Sequence, residues 1–225
     1  MRTIVLSFGL LLGMVAHCQQ NEVGFFGGPS LTRLRSNTVF RNADPLTGYQ
    51  FGTTCTHWFK NGFGLQGQLT YALLGCTLPY IATDQLGNEL FRDEFVYRFG
   101  HLGLSLGATY RTPGRLHGVA SIGLMPTTIV VGEFDAPDDL RPGQRSVLDL
   151  TAKVNSPVLF GYGALGGAID LKAPITIGLL VRYDHGLTTL SGPDFFENEN
   201  IIETSWSVML SISYRWPQIY PRTNG

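Results

Sequence analysis

Apolar and polar residues alternate one for one along four stretches of the chain. That is the period of a β-strand, whose successive side chains point to opposite faces. Residues 205–216 show it best: Trp206, Val208, Leu210, Ile212, Tyr214 and Trp216 share one face, and Ser205, Ser207, Met209, Ser211, Ser213 and Arg215 share the other. Residues 63–73 set Phe63, Leu65, Leu69, Tyr71 and Leu73 against Gly64, Gln66, Gln68, Thr70 and Ala72. Residues 101–110 set Leu102, Leu104, Leu106, Ala108 and Tyr110 against His101, Gly103, Ser105, Gly107 and Thr109. Residues 175–183 place Ile175, Ile177, Leu179, Val181 and Tyr183 opposite Thr176, Gly178, Leu180 and Arg182, with Asp184 next on the polar face. Weaker patterns over 23–31, 47–59, 115–132 and 155–170 complete a set of eight strands.

The connections alternate in length. Tight turns fall at Lys60-Asn61-Gly62, Thr112-Pro113-Gly114 and Leu171-Lys172-Ala173-Pro174, and long polar connections at 32–46, 77–94, 133–152 and 189–204. Short periplasmic turns and long extracellular loops have this rhythm in outer-membrane barrels. The expected fold is therefore all-β, an eight-stranded antiparallel up-and-down transmembrane β-barrel over residues 19–216. Residues 217–225 form a short C-terminal tail.

Composition decides which face meets lipid. A soluble barrel also alternates, but its wet exterior carries many charges. Here charged residues are 15%, and Lys60, Lys153 and Lys172 are the only lysines. The polar face is Gly, Ser, Thr and Gln, suited to a crowded lumen, so the apolar face points outward to lipid and lipopolysaccharide. Tyr71, Tyr110, Tyr183, Trp206, Tyr214 and Trp216 are expected at the membrane interfaces. No stretch of the mature chain is apolar for the roughly 18 residues a helical span needs. A formal charge of −1 argues against a nucleic-acid partner.

The N-terminus reads as a secretory signal over residues 1–18. Arg2 supplies the positive region, Ile4 to Ala16 the apolar region, and Ala16 and Cys18 the small residues before a cleavage at Gln19. Cys18 also admits a lipoprotein reading, for which His17 is a poor preceding residue. Cys55 and Cys76 are expected as free thiols: a turn at Asn61 sets Cys55 opposite Gly67, and the two cysteines fall on opposite faces.

Three segments resemble the PorT-like outer-membrane β-barrel family of Gram-negative bacteria: Val23-Gly24-Phe25-Phe26-Gly27-Gly28-Pro29-Ser30, Arg182-Tyr183-Asp184-His185-Gly186-Leu187-Thr188-Thr189, and Ser211-Ile212-Ser213-Tyr214-Arg215-Trp216. The resemblance implies an outer-membrane barrel with a secretion-related role and secretion-machinery proteins as partners; it implies no catalytic residues. One departure is that Trp216 does not end the chain, as a closing aromatic does in most such barrels.

Candidate chemistry is sparse. Asp184 and His185 are strand neighbours facing opposite sides, so they cannot form a dyad. The other histidines of the mature chain are His57, His101 and His117; His101 shares a face with Ser105, with no fixed partner evident. No enzymatic activity, cofactor or metal is expected. Asp135, Asp138 and Asp139 match no calcium-loop spacing and read as a solvated run. Phe195-Phe196 and Ile201-Ile202 are apolar loop residues able to meet a partner. Gln66, Gln68, His101, Arg111, Arg182, Asp184 and Arg215 are expected in the lumen. There charges must pair, and eight strands leave room only for side chains. The expected molecule is a monomeric, plugged, non-enzymatic barrel that is structural or secretion-associated; a narrow channel or small-ligand carrier is the alternative, and a lipid-modifying enzyme the third reading.

Overall fold

A computed structural model describes residues 21–36, 39–59, 61–83, 86–137, 144–154, 157–171, 174–190 and 200–216. The expected signal, the tail, Asp138, Asp139 and Phe195-Phe196 lie outside them. Nine antiparallel strands follow in order: β1 (Asn21–Arg35), β2 (Asp44–Trp58), β3 (Phe63–Thr83), β4 (Glu89–Arg111), β5 (Leu116–Pro137), β6 (Arg145–Asp149), β7 (Val158–Asp170), β8 (Ile175–Gly186) and β9 (Ile202–Arg215). Eight of them close a ring in the order β1-β2-β3-β4-β5-β7-β8-β9, with β9 returning to β1. The ninth, β6, pairs only with β5. The expected strand count thus holds for the ring and is short by one for the sheet.

The register agrees with the alternation. Phe25, Leu65, Leu106, Leu179, Leu210 and Ile212 are exposed on the outer wall, while Gln50, Gln68, Thr70, Ser105, Thr176 and Ser207 are buried inside. Cys55 pairs with Gly67, and both Cys55 and Cys76 are free thiols. Inward glycines are demanded by close approach of strands. A Cβ on Gly28 would come within 1.9 Å of the Val208 carbonyl oxygen, whereas one on the outward Gly163 would meet nothing within 4 Å. At the tight turns, Gly62 and Gly114 take positive φ of 82° and 119°, which side-chain-bearing residues resist.

Two expected long connections are instead largely strand. β3 and β4 run 21 and 23 residues, about twice a membrane crossing, and turn through Gly87 at φ 84°. Together with the outer part of β5 and β6 they form a sheet that stands beyond the barrel at the long-connection end. Glu89, Arg92, Asp93 and Glu94 gave 77–94 the look of a loop. On the inner face, however, the strand pattern continues through Tyr80, Phe91, Phe95 and Phe134, with ring centroids 4.8–6.1 Å apart. A sheet held by packed rings tolerates Arg92 and Glu94 on its other, wet face, and Asp93, on the ring side, pairs with Arg145.

The upper lumen also differs from the expected Arg–Asp and Gln filling. The connections fold inward, and Leu34, Phe40, Ala43, Leu150, Val154, Leu190 and Ile201 pack on Leu74, Phe99, Ile129, Val158 and Phe160 from the wall. Leu34, Phe40, Phe99, Phe160, Leu190 and Ile201 have no solvent exposure at all. Ile201, expected as a loop contact for a partner, is therefore part of this apolar core. Burying such side chains is worth about 1.5–3 kcal/mol each, which offsets the ordering of the connections that carry them.

Candidate functional site

Below the apolar core, polar side chains cross the lumen at two levels. The upper crossing joins His101 on β4 to Glu203 on β9, strands four places apart in the ring in either direction. His101 Nε2 lies 3.2 Å from Glu203 Oε2, and both side chains are 1% exposed. On the other side of the imidazole, Thr127 donates its hydroxyl proton to the Val158 carbonyl (3.0 Å). Its oxygen is therefore left to accept from Nδ1, 3.2 Å away. His101 shares the inward parity of Gly103 and Ser105, a register irregularity opposite it leaves Val130 of β5 out of the pairing, and Phe160 packs edge-on against the ring at 5.5 Å.

The lower crossing joins Arg182 on β8 to Gln68 on β3, again four places apart. Arg182 has no solvent exposure. It donates to Asp184 (2.8 Å) and to Gln68 Oε1 (2.7 Å), touches the Met125 sulfur, and lies over the Tyr162 ring at 4.2 Å. Ser105 donates to the same Gln68 oxygen (3.3 Å), and Ser207 donates to Gln50 (3.0 Å). Arg182 and Asp184 are thus both buried and paired at this level.

Beneath it the lumen opens. A small cavity of about 70 Å³, bounded by Gln68, Met209, Trp58 and His117, leads toward a larger one of about 730 Å³ at the tight-turn end. The larger cavity is lined by Asn61, Arg111, Thr112, His117, Asp170 and Arg215, among others. Glu22 sits at its inner edge. It accepts from the Trp58 indole (2.9 Å) and from the Ser213 hydroxyl, and it faces Arg111 at 3.7 Å and Arg215 at 3.5 Å. Asp170 accepts from Thr176 (2.7 Å) and meets Arg215 at 3.3 Å. The Arg111 guanidinium stacks on Trp58 at 4.3 Å.

All seven expected lumen residues point inward, but they fall into separate groups: His101 above, Arg182, Asp184 and Gln68 in the middle, Arg111 and Arg215 at the mouth. Gln66 donates to Thr56 (3.3 Å) and accepts from Gln68 (3.0 Å), extending the middle group toward the mouth. Among the expected interface aromatics, Tyr183 and Trp206 pack at 4.6 Å on the outer wall, and Tyr71 stacks with Tyr49 and Phe51 at the same end. Tyr110 with Phe63, and Tyr214 with Trp216, ring the tight-turn end. His185 is exposed outside while Asp184 is buried inside, so the two form no dyad.

Glu203, Thr127, Glu22, Asp170 and Trp58 are participants that the pattern did not single out. Glu203 shares the parity of Ser205 and Ser207, so extending that face by one pleat locates it. Asp135 pairs with Arg145 (2.7 Å) and Arg98 (3.7 Å), while Asp138 and Asp139 lie outside the described residues. Among the described residues no group of three His, Cys, Asp or Glu could hold a metal ion.

The fold is similar to those of several solved outer-membrane barrels. Neisserial surface protein A shares 10% identity over 87% of this chain and 97% of its own, with a TM-score of 0.49. OprG of Pseudomonas aeruginosa shares 14% over 87% and 96%, with a TM-score of 0.44. The outer membrane protease OmpT of Escherichia coli shares 10% over 88% and 96%, with a TM-score of 0.46. No curated protein sequence matches. The family described as outer membrane protein beta-barrel domain matches residues 18–192, so the chain belongs to that family and resides in the outer membrane.

Proposed function

We propose that the protein is a non-enzymatic, non-conducting outer-membrane barrel with a structural or secretion-associated role, acting through the sheet beyond its long-connection end or through its periplasmic mouth. The observation that carries this reading is the sealed lumen: an apolar core with fully buried Phe40, Phe99 and Phe160 lies above two charged crossings that fill the bore. The PorT-like segments favour a secretion link, with the machinery's proteins as partners and lipid and lipopolysaccharide around a monomeric wall. On this reading the tight turns and the 730 Å³ cavity face the periplasm.

The absence of catalysis rests on chemistry. Thr127, His101 and Glu203 have the residue types of a nucleophile relay, but the Thr127 proton goes to a backbone carbonyl and all three are buried. Planar-bilayer recording of the refolded full chain tests the reading. Closed traces are expected, and a steady unitary conductance would overturn it in favour of a channel.

A further inference from the structure

The mouth cavity holds more hydrogen-bond donors than acceptors. Its two nearby carboxylates are already engaged: Glu22 by Trp58 and Ser213, Asp170 by Thr176 and Arg215. The donors are not. Arg111 carries five N–H groups, yet with the described residues it makes only a 3.7 Å ion pair and a stack on Trp58. The Arg215 Nε–H is buried with no acceptor. His117 is 5% exposed, has no hydrogen-bond partner among the described residues, and lines both the large cavity and the small one above it.

Buried donors are costly to leave unmet. The buried Arg215 Nε–H, the Arg111 fork and the His117 ring converge on one cavity, where their N–H groups outnumber the carboxylate oxygens of Asp170 and Glu22 and can serve a further acceptor. A volume of about 730 Å³ falls within the range of small-molecule sites.

We propose that this mouth is a binding site for an oxyanion, the carboxylate or phosphate group of a ligand, held between Arg111, Arg215 and His117. Arg111 and Arg215 present planar forks suited to two-oxygen recognition, and His117 offers a ring N–H from deeper in the bore. That the ligand arrives from the periplasm rests on the orientation proposed above; the binding itself does not.

Trp58 lies directly under Arg111 and reports on it. Of the three tryptophans, Trp206 and Trp216 are on the outer wall, so the Trp206→Phe/Trp216→Phe chain keeps Trp58 alone. The full chain, refolded in detergent micelles, is titrated at fixed ionic strength with inorganic phosphate, with acetyl-alanyl-alanine, and with the amide of that peptide. A saturable change in Trp58 emission is expected with phosphate or with the free-carboxylate peptide, and the amide should bind at least about tenfold more weakly. Response to phosphate alone assigns a phosphoryl ligand, and response to the peptide assigns a carboxylate.

Calorimetric titration of the Arg111→Gln and Arg215→Gln chains, with folding checked by gel mobility before and after heating, should show a loss of at least about tenfold in affinity. His117→Asn serves if either fails to fold. No saturable response to any probe, or unchanged affinity in the folded variants, overturns the site. Binding in micelles is independent of conductance, so a barrel that binds and conducts, or neither binds nor conducts, separates this proposal from the sealed-lumen reading.

Discussion

His101 and Glu203 touch across the bore at 3.2 Å from opposite walls of the ring, each with 1% exposure. A pair so placed ties β4 to β9 through space rather than through the sheet. Removing one partner leaves a buried polar group alone, at a cost of about 3–5 kcal/mol, whereas replacing both with apolar residues is close to neutral. Glu203→Leu and His101→Leu are each expected to lower the unfolding free energy of the refolded barrel, measured in urea, by that amount. The double variant should recover most of the loss. Single losses that simply add in the double variant would show that the two side chains do not act as a unit.

The Arg182 crossing makes a sharper prediction because it separates stability from permeation. Asp184→Asn keeps the shape of the side chain and removes the charge facing a fully buried guanidinium, which should cost about 3 kcal/mol. The temperature at which the folded band is lost on a semi-native gel checks this, and an unchanged value would count against the crossing as a strut. Arg182→Ala should weaken the barrel further, yet the bilayer traces should stay closed, because the apolar core above still fills the bore.

How far the chain could be read follows from where lipid imposes its pattern. Inside the bilayer band outward residues are mostly apolar and inward ones mostly small or polar, and there the faces of β8 and β9 are readable residue by residue. Above the band the outward face meets water, so Glu94 and Arg92 sit on a strand that looks like a loop, and β4 was read as starting twelve residues late. The inward connections are hidden for a related reason: Phe40, Leu150 and Ile201 belong to no periodic run that sets them on one face, and only folding brings them together. In the site, single-residue parity placed Arg182 and Asp184 inside. It could not say that Gln68, from a strand on the far side, would be their partner, since that depends on closure and shear of the ring.

Glycine in this wall has two distinct causes, and substitution separates them. Gly28→Ala would drive a methyl group into the Val208 carbonyl at the β1–β9 seam, where no flexible side chain can give way. The folded fraction after refolding should collapse, and unfolding should be faster where the chain does fold. Gly163→Ala meets open space on the lipid side and should leave the folded fraction and heat stability unchanged. Equal behaviour of the two variants would mean that inward crowding does not set the glycine content.

β6 rests on one strand and a clamp. Arg145 donates to Asp135 (2.7 Å), to Asp93 (2.8 Å) and to the Glu94 carbonyl (2.7 Å), and the hydrogen bond to Asp135 raises its pKa, so it stays charged at any working pH. Lysine has one nitrogen and cannot reach three acceptors in this geometry. Arg145→Lys and Arg145→Ala should therefore both release β6, seen as faster chymotryptic cleavage at the exposed Leu148 with the barrel intact. At the other end, Asp149 accepts the Thr151 amide at 2.8 Å, and its hydrogen bonds to Thr151 hold its carboxyl below the usual range. A depressed carboxyl contributes above its unfolded value and loses that contribution as pH falls through its folded value. Amide exchange at Thr151, corrected for its intrinsic pH dependence, should therefore lose protection on acidification. Asp149→Asn, which still accepts the amide but cannot titrate, should remove the pH response while keeping the protection. Protection that falls equally in both chains would place the acid-sensitive group elsewhere in the sheet.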